Sequence, residues 1–185
     1  MIKKYFLLNA LFVLSVTSYA EPLDPVKLLS SYVGIDTVNP PGNESRAVDF
    51  YAKIFEEEGI EFSSAESAPG RGNIWARIKG GDLPALVLLQ HTDVVPATKK
   101  YWDTDPFVAE IKDGYLYGRG VIDMKGAGIS QLVSFIRLHR SGLSLNRDVV
   151  FVATADEEAG GMFGAGWLID NHPEIFEGAG FVINE

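Results

Sequence analysis

The chain contains no cysteine, and this absence excludes several kinds of chemistry. Without a thiol there is no disulfide, no cysteine nucleophile, no thiolate metal ligand and no lipid-modified N-terminal cysteine. Any metal ion must therefore be held by nitrogen and oxygen donors. The sequence also lacks a Gly-x-Ser-x-Gly elbow, a P-loop and a complete Gly-x-Gly-x-x-Gly fingerprint. These absences argue against an α/β serine hydrolase, a P-loop nucleotidase and a dinucleotide-binding protein.

Positive charge is also scarce. The chain has 16 lysine and arginine residues against 25 aspartate and glutamate residues, which gives a formal net charge of −9. Because the first twenty residues contain Lys3 and Lys4 but no acid, the rest of the chain carries −11. An acidic protein repels the phosphate backbone, so we expect no nucleic-acid partner.

Residues 1–20 have the pattern of a secretory signal peptide. Lys3 and Lys4 form a positive n-region, Tyr5–Thr17 is apolar, and Ser18-Tyr19-Ala20 is a small-x-small cleavage site. The alternative is an N-terminal membrane anchor, but the apolar stretch is shorter than the roughly 20 residues that cross a bilayer. We therefore expect an exported protein, periplasmic or secreted, without a stable membrane anchor after cleavage. The sequence leaves the oligomeric state open.

Short apolar runs alternate with helical patterns along residues 21–185. The runs at 85–90, 148–154 and 180–184 predict strands that are buried on both faces. Helices are predicted over Val26–Tyr32, over Ser45–Glu58, from Met124 or Lys125 to about Arg140, and near 162–171. This alternation predicts an α/β fold with a largely parallel central sheet flanked by helices.

Each of the three apolar runs ends in side chains that can hold a metal ion. The first leads to His91 and Asp93, the second to Glu157 and Glu158, and the third to Glu185. In open α/β sheets, ligands bind beyond the carboxyl ends of the strands. Asp93 lies two residues after His91, so it can orient the imidazole or reach a shared ion. The pattern predicts a metal-hydrolase centre, with a solvated acidic loop as the simpler alternative for the two glutamates.

Asp123 allows two interpretations. It follows the glycines of Gly118-Arg119-Gly120 and directly precedes the long predicted helix. It can be the N-cap of that helix. Alternatively, it can be a cation ligand, because a helix N-terminus stabilises an ionised carboxylate. The sequence alone favours neither.

Taken together, the motifs resemble the co-catalytic zinc peptidases and amidohydrolases. This family includes aminoacylase, acetylornithine deacetylase, succinyl-diaminopimelate desuccinylase and the glutamate and Gly-X carboxypeptidases. The resemblance extends from about Leu29 to Glu185. The segments that carry it are His91-Thr92-Asp93-Val94-Val95-Pro96, Trp102–Phe107, Asp113–Tyr117, Gly118-Arg119-Gly120 with Asp123-Met124-Lys125-Gly126, and Asp156-Glu157-Glu158.

The resemblance implies a zinc-exopeptidase-like catalytic domain and two zinc ions. It assigns roles to six side chains: His91 and Glu185 as ligands of one zinc, Asp123 as the bridging ligand, Glu158 as a ligand of the second zinc, Asp93 as the residue that orients the imidazole, and Glu157 as the general base. The implied substrate is a dipeptide, a peptide C-terminus or an N-acyl amino acid. The implied enzyme is thus a metallopeptidase or hydrolase of the carboxypeptidase, dipeptidase or aminoacylase-like type.

The chain also departs from the family pattern. Family members are usually more than twice as long, with an inserted lid or dimerisation domain and a late zinc-ligand histidine. Neither His139 nor His172 stands in the position of that ligand. We therefore expect residues 21–185 to be the N-terminal part of the catalytic domain, a fragment with impaired activity and at most one tight zinc. The alternative is a non-catalytic exported α/β module that binds a metal or a partner.

Overall fold

The computed structural model describes residues 22–185, so the predicted signal peptide at residues 1–20 lies outside the described residues. Four α-helices are present in the described part: α1 (Pro25–Val33), α2 (Ser45–Glu58), α3 (Lys125–Ser141) and α4 (Ala165–Asn171). The strands are β1 (Phe62–Glu66), β2 (Gly72–Ile78), β3 (Leu83–His91), β4 (Glu110–Lys112), β5 (Tyr115–Tyr117), β6 (Arg147–Thr154) and β7 (Ala179–Ile183). In this range no helix is both long and apolar enough to span a bilayer.

The central sheet has the strand order β1-β2-β6-β3-β7, and β4 and β5 form a separate antiparallel hairpin. β3 lies in the middle of a parallel trio, so that Leu88 pairs with Phe151 of β6 and Ile183 of β7. β2 runs antiparallel to β6, and β1 runs antiparallel to β2. The α/β class with a sheet flanked by helices is therefore confirmed, and the parallel portion consists of three of the five strands.

Three helix ends lie at residues that local rules favour. Asp24 caps α1, and its carboxylate accepts hydrogen bonds from the backbone N–H groups of Val26 and Lys27 at 3.0 and 3.2 Å. At the C-terminal end of α2, Gly59 adopts a left-handed conformation with a φ of 66°. Gly142 ends α3 in the same way, with a φ of 61°. Glycine reaches this region without steric cost, so each helix stops there.

Two apolar clusters lie on opposite faces of the sheet. The larger cluster joins α1, α2 and α3 to the sheet and has Phe151 of β6 at its centre. The ring of Phe151 lies 5.4 to 5.7 Å from the rings of Tyr51, Phe55 and Phe135. The smaller cluster packs Leu168 of α4 on the other face. Helices thus cover both faces, as the alternation predicted.

Two strands differ from the sequence-based expectation. The run at Phe181–Ile183 was predicted to be buried on both faces, and this is wrong, since its three side chains are 60, 55 and 49% exposed. β7 lies at the sheet edge, and among residues 22–185 it pairs with β3 alone. β1 was not predicted, because the sequence of Phe62–Glu66 is polar and lacks the alternation that marks a strand.

Candidate metal centre

The carboxyl ends of the three parallel strands converge on one point. β3 ends at His91, β6 ends three residues before Glu157, and β7 ends two residues before Glu185. β3 lies between β6 and β7, so its last residue is flanked by the segments that follow both neighbours. The arrangement is the crevice in which open α/β sheets bind ligands. The structure therefore brings together the three strand ends that the sequence singled out.

His91 stands at the centre of this cluster, and its imidazole is only 2% exposed. Its Nε2 atom lies 3.0 Å from the Asp123 carboxylate, 3.6 Å from that of Glu185 and 3.8 Å from that of Glu157. On the other side of the ring, Nδ1 lies 3.0 Å from the backbone oxygen of Asp93. A carbonyl oxygen only accepts hydrogen bonds, so Nδ1 carries a proton. In the neutral ring, Nε2 is then free to bind a cation.

The electrostatics of the cluster show an excess of negative charge. Burial alone would lower the pKa of His91, but the carboxylates of Asp93 and Asp123 outweigh it and raise that pKa to about 9. Burial, reinforced by the charge of Asp123, also raises the pKa of Glu158. Burial raises the pKa of Glu185, and the carboxylate of Asp123 adds to the effect. The field that holds a proton on the imidazole also attracts a divalent cation, which competes with that proton.

The donor atoms fit a divalent cation. Two sets of three ligand atoms each lie within 4.8 Å of one another: His91 with Glu157 and Glu185, and His91 with Asp123 and Glu158. Imidazole nitrogen and carboxylate oxygen suit zinc and related divalent ions. The grouping differs from the expected one, which placed Glu185 with Asp123 and left Glu157 unligated. The side chains of Glu157 and Asp123 are 51 and 60% exposed, so packing does not restrict them to one arrangement.

Asp123 is not the N-cap of α3, so that interpretation is wrong. The N-cap residue is Met124, which makes no side-chain capping bond, and the Asp123 carboxylate faces His91 instead. The two residues that follow Asp123 are anchored: Met124 Sδ accepts a hydrogen bond from the backbone N–H of His91 at 3.2 Å. Lys125 Nζ donates to the backbone oxygen of Tyr32 in the last turn of α1 at 3.0 Å and to that of Ile35, just after the helix, at 2.8 Å. These contacts fix the backbone that presents the exposed carboxylate to the imidazole.

Residues 87–185, more than half of the chain, match the family described as Peptidase family M20/M25/M40. The chain belongs to this family. The resemblance noted from the motifs is therefore confirmed, including its link to aminoacylase and succinyl-diaminopimelate desuccinylase.

Two curated relatives illustrate the extent of the similarity. Aminoacylase-1B of Rattus norvegicus is 34% identical over 163 residues, which cover 86% of this chain and 40% of the relative. Succinyl-diaminopimelate desuccinylase of Parvibaculum lavamentivorans is 36% identical over 148 residues, which cover 77% of this chain and 36% of the relative. The chain thus spans about two fifths of the length of these relatives.

Solved structures agree with this assignment. Human carnosine dipeptidase 1 is 26% identical with a TM-score of 0.65, over 87% of this chain and 38% of that protein. An M20 family metallo-carboxypeptidase from Sulfolobus solfataricus is 22% identical with a TM-score of 0.74, over 89% of this chain and 37% of that protein. The second likeness establishes the fold of this M20/M25/M40 member.

Asp93 does more in this M20/M25/M40 member than the sequence predicted. Its carboxylate is fully buried and lies 3.4 Å from Nδ1 of His91. It also accepts hydrogen bonds from the backbone N–H groups of Glu157 and Glu158, each at 3.1 Å. Burial alone would raise the pKa of Asp93, but hydrogen bonds from His91 and Asn39 lower it. Asp93 therefore links the imidazole to the turn that carries the two glutamates.

Sequence reasoning missed the polar side chains that support Asp93 from behind. Asn39 begins the proline-rich loop Asn39-Pro40-Pro41-Gly42-Asn43, and neither this residue nor Arg71 or Glu44 was singled out from the sequence. All three are buried, with exposed fractions of 6% or less. In a sequence, an asparagine followed by proline is only a weak signal of a buried supporting position, and a lone arginine gives no signal of one.

The two other histidines serve elsewhere. His172 packs against the rings of Trp75 and Trp167, at centroid distances of 5.0 and 5.2 Å, and its Nδ1 lies 3.1 Å from Glu174. His139 lies in the last turn of α3, where a cation complements the helix dipole. Within the described residues, neither belongs to a set of converging metal ligands.

Proposed function

We propose that this chain carries the metal-binding part of a zinc-dependent hydrolase that cleaves amide bonds in small peptides or N-acyl amino acids. The observation that carries the proposal is the buried imidazole of His91, which faces three carboxylates at the carboxyl edge of the sheet. The similarity to proteins named as an aminoacylase, a desuccinylase and a dipeptidase supports the substrate class.

Zinc is the cation we propose, held by His91, Asp123, Glu158 and Glu185. Zinc bound there would polarise the scissile carbonyl group and lower the pKa of the attacking water. His91 is prepared for this role, because its Nδ1 proton faces the backbone oxygen of Asp93 and leaves Nε2 directed at the carboxylates. Asp93 keeps that orientation, as a hydrogen-bonding partner of a metal-bound histidine does in other proteins.

Glu157 is the general base in this proposal. Its backbone N–H is held by Asp93, while its carboxylate is half exposed and lies 3.8 Å from Nε2 of His91. A carboxylate in that position takes a proton from the attacking water and delivers it to the leaving amine. Glu158, which is more buried than Glu157, serves as a ligand.

Metal titration of the purified chain tests the proposal. Both sets of converging ligands include His91, so one chain cannot fill them separately, and we expect at most one tight zinc. Calorimetry should show that zinc binding is lost in His91→Ala and kept in the control His172→Ala. A chain that binds no zinc would overturn the proposal, and two tight zinc ions per chain would refute the predicted stoichiometry.

Turnover separates catalysis from metal binding alone. Hydrolysis of N-acyl amino acids or dipeptides that disappears in Glu157→Ala, while zinc affinity persists, would support Glu157 as the base. Zinc binding without any hydrolysis would favour the second candidate function, a non-catalytic module that binds a metal or a partner.

We also propose that the protein is exported, with cleavage after Ala20. The support is the n-region, apolar stretch and small-x-small site within residues 1–20. Cell fractionation and N-terminal sequencing should find a mature chain that begins at Glu21 outside the cytoplasm. An uncleaved chain that stays in the cytoplasm would contradict the proposal.

A further inference from the structure

Behind the metal centre lies a layer of buried polar side chains that the proposed reaction does not use. We call it the Arg71 cluster, and its members are Asn39, Glu44, Arg71 and Asp156. Their exposed fractions are 6, 0, 6 and 4%, so all four are almost completely shielded from solvent. Burial of four polar groups is unfavourable unless they bind one another in a defined arrangement.

The guanidinium group of Arg71 holds this layer together. One of its nitrogens, Nη1, donates to the backbone oxygen of Pro41 at 2.8 Å and to Oδ1 of Asn39 at 3.2 Å. The same atom lies 3.3 Å from the Glu44 carboxylate. The second nitrogen, Nη2, contacts the carboxylate of Asp156. One side chain thus ties the segment before β2 to the proline-rich loop and to the turn after β6.

Asp156 carries this restraint towards the metal centre, because it directly precedes Glu157 and Glu158. Its backbone has a φ of 70°, a conformation that non-glycine residues adopt only when their surroundings stabilise it. Its backbone N–H donates to Glu44 at 3.2 Å, and its Oδ2 accepts from the backbone N–H of Phe163 at 3.1 Å. The turn is therefore held by its backbone and by its side chain.

Asn39 provides a second connection. Its Oδ1 faces the Arg71 guanidinium, so its amide nitrogen is directed at the acids. That nitrogen donates to Asp93 at 2.7 Å and to Asp156 at 3.3 Å. Asp93 in turn binds the backbone N–H groups of the two glutamates that follow Asp156. Both connections end at the same turn.

We propose that Arg71 is a positioning residue of the metal centre: through Asp156 and Asn39 it fixes the turn that presents Glu157 and Glu158 to the cation. The inference rests on the proposed function, since it requires a cation beside His91. Removal of the guanidinium leaves the buried carboxylates of Glu44 and Asp156 without a counter-charge. The turn then loses the ion pair and hydrogen bonds that restrain it, and the ligand atoms shift with it.

The test compares the full chain with Arg71→Met, which removes the charge, and Arg71→Lys, which keeps it but loses the planar fork. Zinc affinity is measured by chelator competition, and the visible spectrum of bound Co²⁺ reports the geometry of the ligands. We expect Arg71→Met to bind zinc roughly tenfold to a hundredfold more weakly, with an altered Co²⁺ spectrum. Arg71→Lys should recover part of both.

Arg77→Met is the matched control. Arg77 lies on the same strand, β2, and pairs with Asp148 at 2.9 Å, a residue at the opposite end of β6 from the glutamate turn. The zinc affinity and the Co²⁺ spectrum of Arg77→Met should equal those of the wild type. All measurements are made at a temperature where circular dichroism shows the variants to be folded, so that loss of stability alone leaves the Co²⁺ spectrum unchanged.

The outcomes separate the inference from the proposed function. A wild-type chain that binds neither zinc nor Co²⁺ overturns the proposed function and the inference with it. Equal zinc affinity and identical Co²⁺ spectra in the wild type and in folded Arg71→Met overturn the inference alone. If Arg71→Met does not fold, Arg71→Lys and Asn39→Ala decide, and wild-type metal binding in both overturns the inference.

Discussion

Burial of Glu44 makes the stability of this chain depend on pH, and Glu44→Gln isolates that dependence. The carboxylate is fully buried, and its Oε2 atom has no hydrogen-bond partner among the described residues. Burial raises the pKa of Glu44 from its usual value of 4.5 to about 7, although Arg71 acts in the opposite direction. In the unfolded chain the carboxyl group regains its usual pKa.

The sign and the size of the effect follow from these two values. The folded chain holds the Glu44 proton more tightly than the unfolded chain, so the free energy of unfolding falls as the pH rises from 4.5 to about 7. A tenfold difference in proton affinity corresponds to about 1.4 kcal/mol, so the whole loss is about 3 kcal/mol. Most of it falls between about pH 5 and about pH 8. Glutamine does not titrate, so the variant escapes this loss.

Urea unfolding of both proteins across that pH range measures the difference. The samples contain a chelator, because metal affinity has its own pH dependence. Relative to that of the wild type, the free energy of unfolding of Glu44→Gln should rise by about 2–3 kcal/mol from the acidic to the alkaline end. The control is Glu57→Gln, which makes the same chemical change at an exposed position of α2.

Two results would refute the reasoning. If the free energies of unfolding of the wild type and Glu44→Gln differ by the same amount at both ends of the pH range, burial of Glu44 does not perturb its titration. A wild type that gains stability over Glu44→Gln as the pH rises would show that the attraction of Arg71 outweighs burial.

Two further substitutions test the packing. Gly164→Ala would place a Cβ atom 1.8 Å from the backbone oxygen of Ala155, so it should destabilise the chain by about 1–3 kcal/mol in urea unfolding. The control Gly34→Ala should not, because its Cβ atom meets nothing nearer than 3.5 Å. Equal stabilities of the two variants would contradict the described contact. Tyr51→Phe removes the 2.9 Å hydrogen bond to the buried Oε1 of Gln90, so the free energy of unfolding in the same assay should fall by about 1–3 kcal/mol. An unchanged urea midpoint would show that this hydrogen bond contributes nothing to stability.

Much of the architecture was predictable because its signals are local. The apolar spacing and the terminal glycine of Ser45–Glu58 predict the observed bounds of α2. The apolar runs of β3 and β6 predict strands, and the rule for parallel strands predicts that their carboxyl ends meet. Burial of β7 was not predictable in this way, since an apolar sequence does not reveal which elements cover it.

In the candidate site too, local signals predict some features, and others appear only in the folded chain. Asp123 satisfies the local rules for an N-cap and for a ligand equally well, and only its approach to His91 in the folded chain separates the two. Arg71 and Asp156 are 85 positions apart, and each is unremarkable in its own segment. Contacts of this kind depend on the packing of distant segments, so periodicity and spacing do not reveal them.

The meeting of three strand ends also couples cation binding to folding. The proposed ligands His91, Glu158 and Glu185 lie far apart along the chain, so the unfolded chain offers no preformed site. A cation bound to them therefore stabilises the folded state by mass action, by about 2.7 kcal/mol at a free concentration one hundred times the dissociation constant. Zinc would then act as a cross-link that joins the end of the exposed edge strand β7 to the ends of β3 and β6.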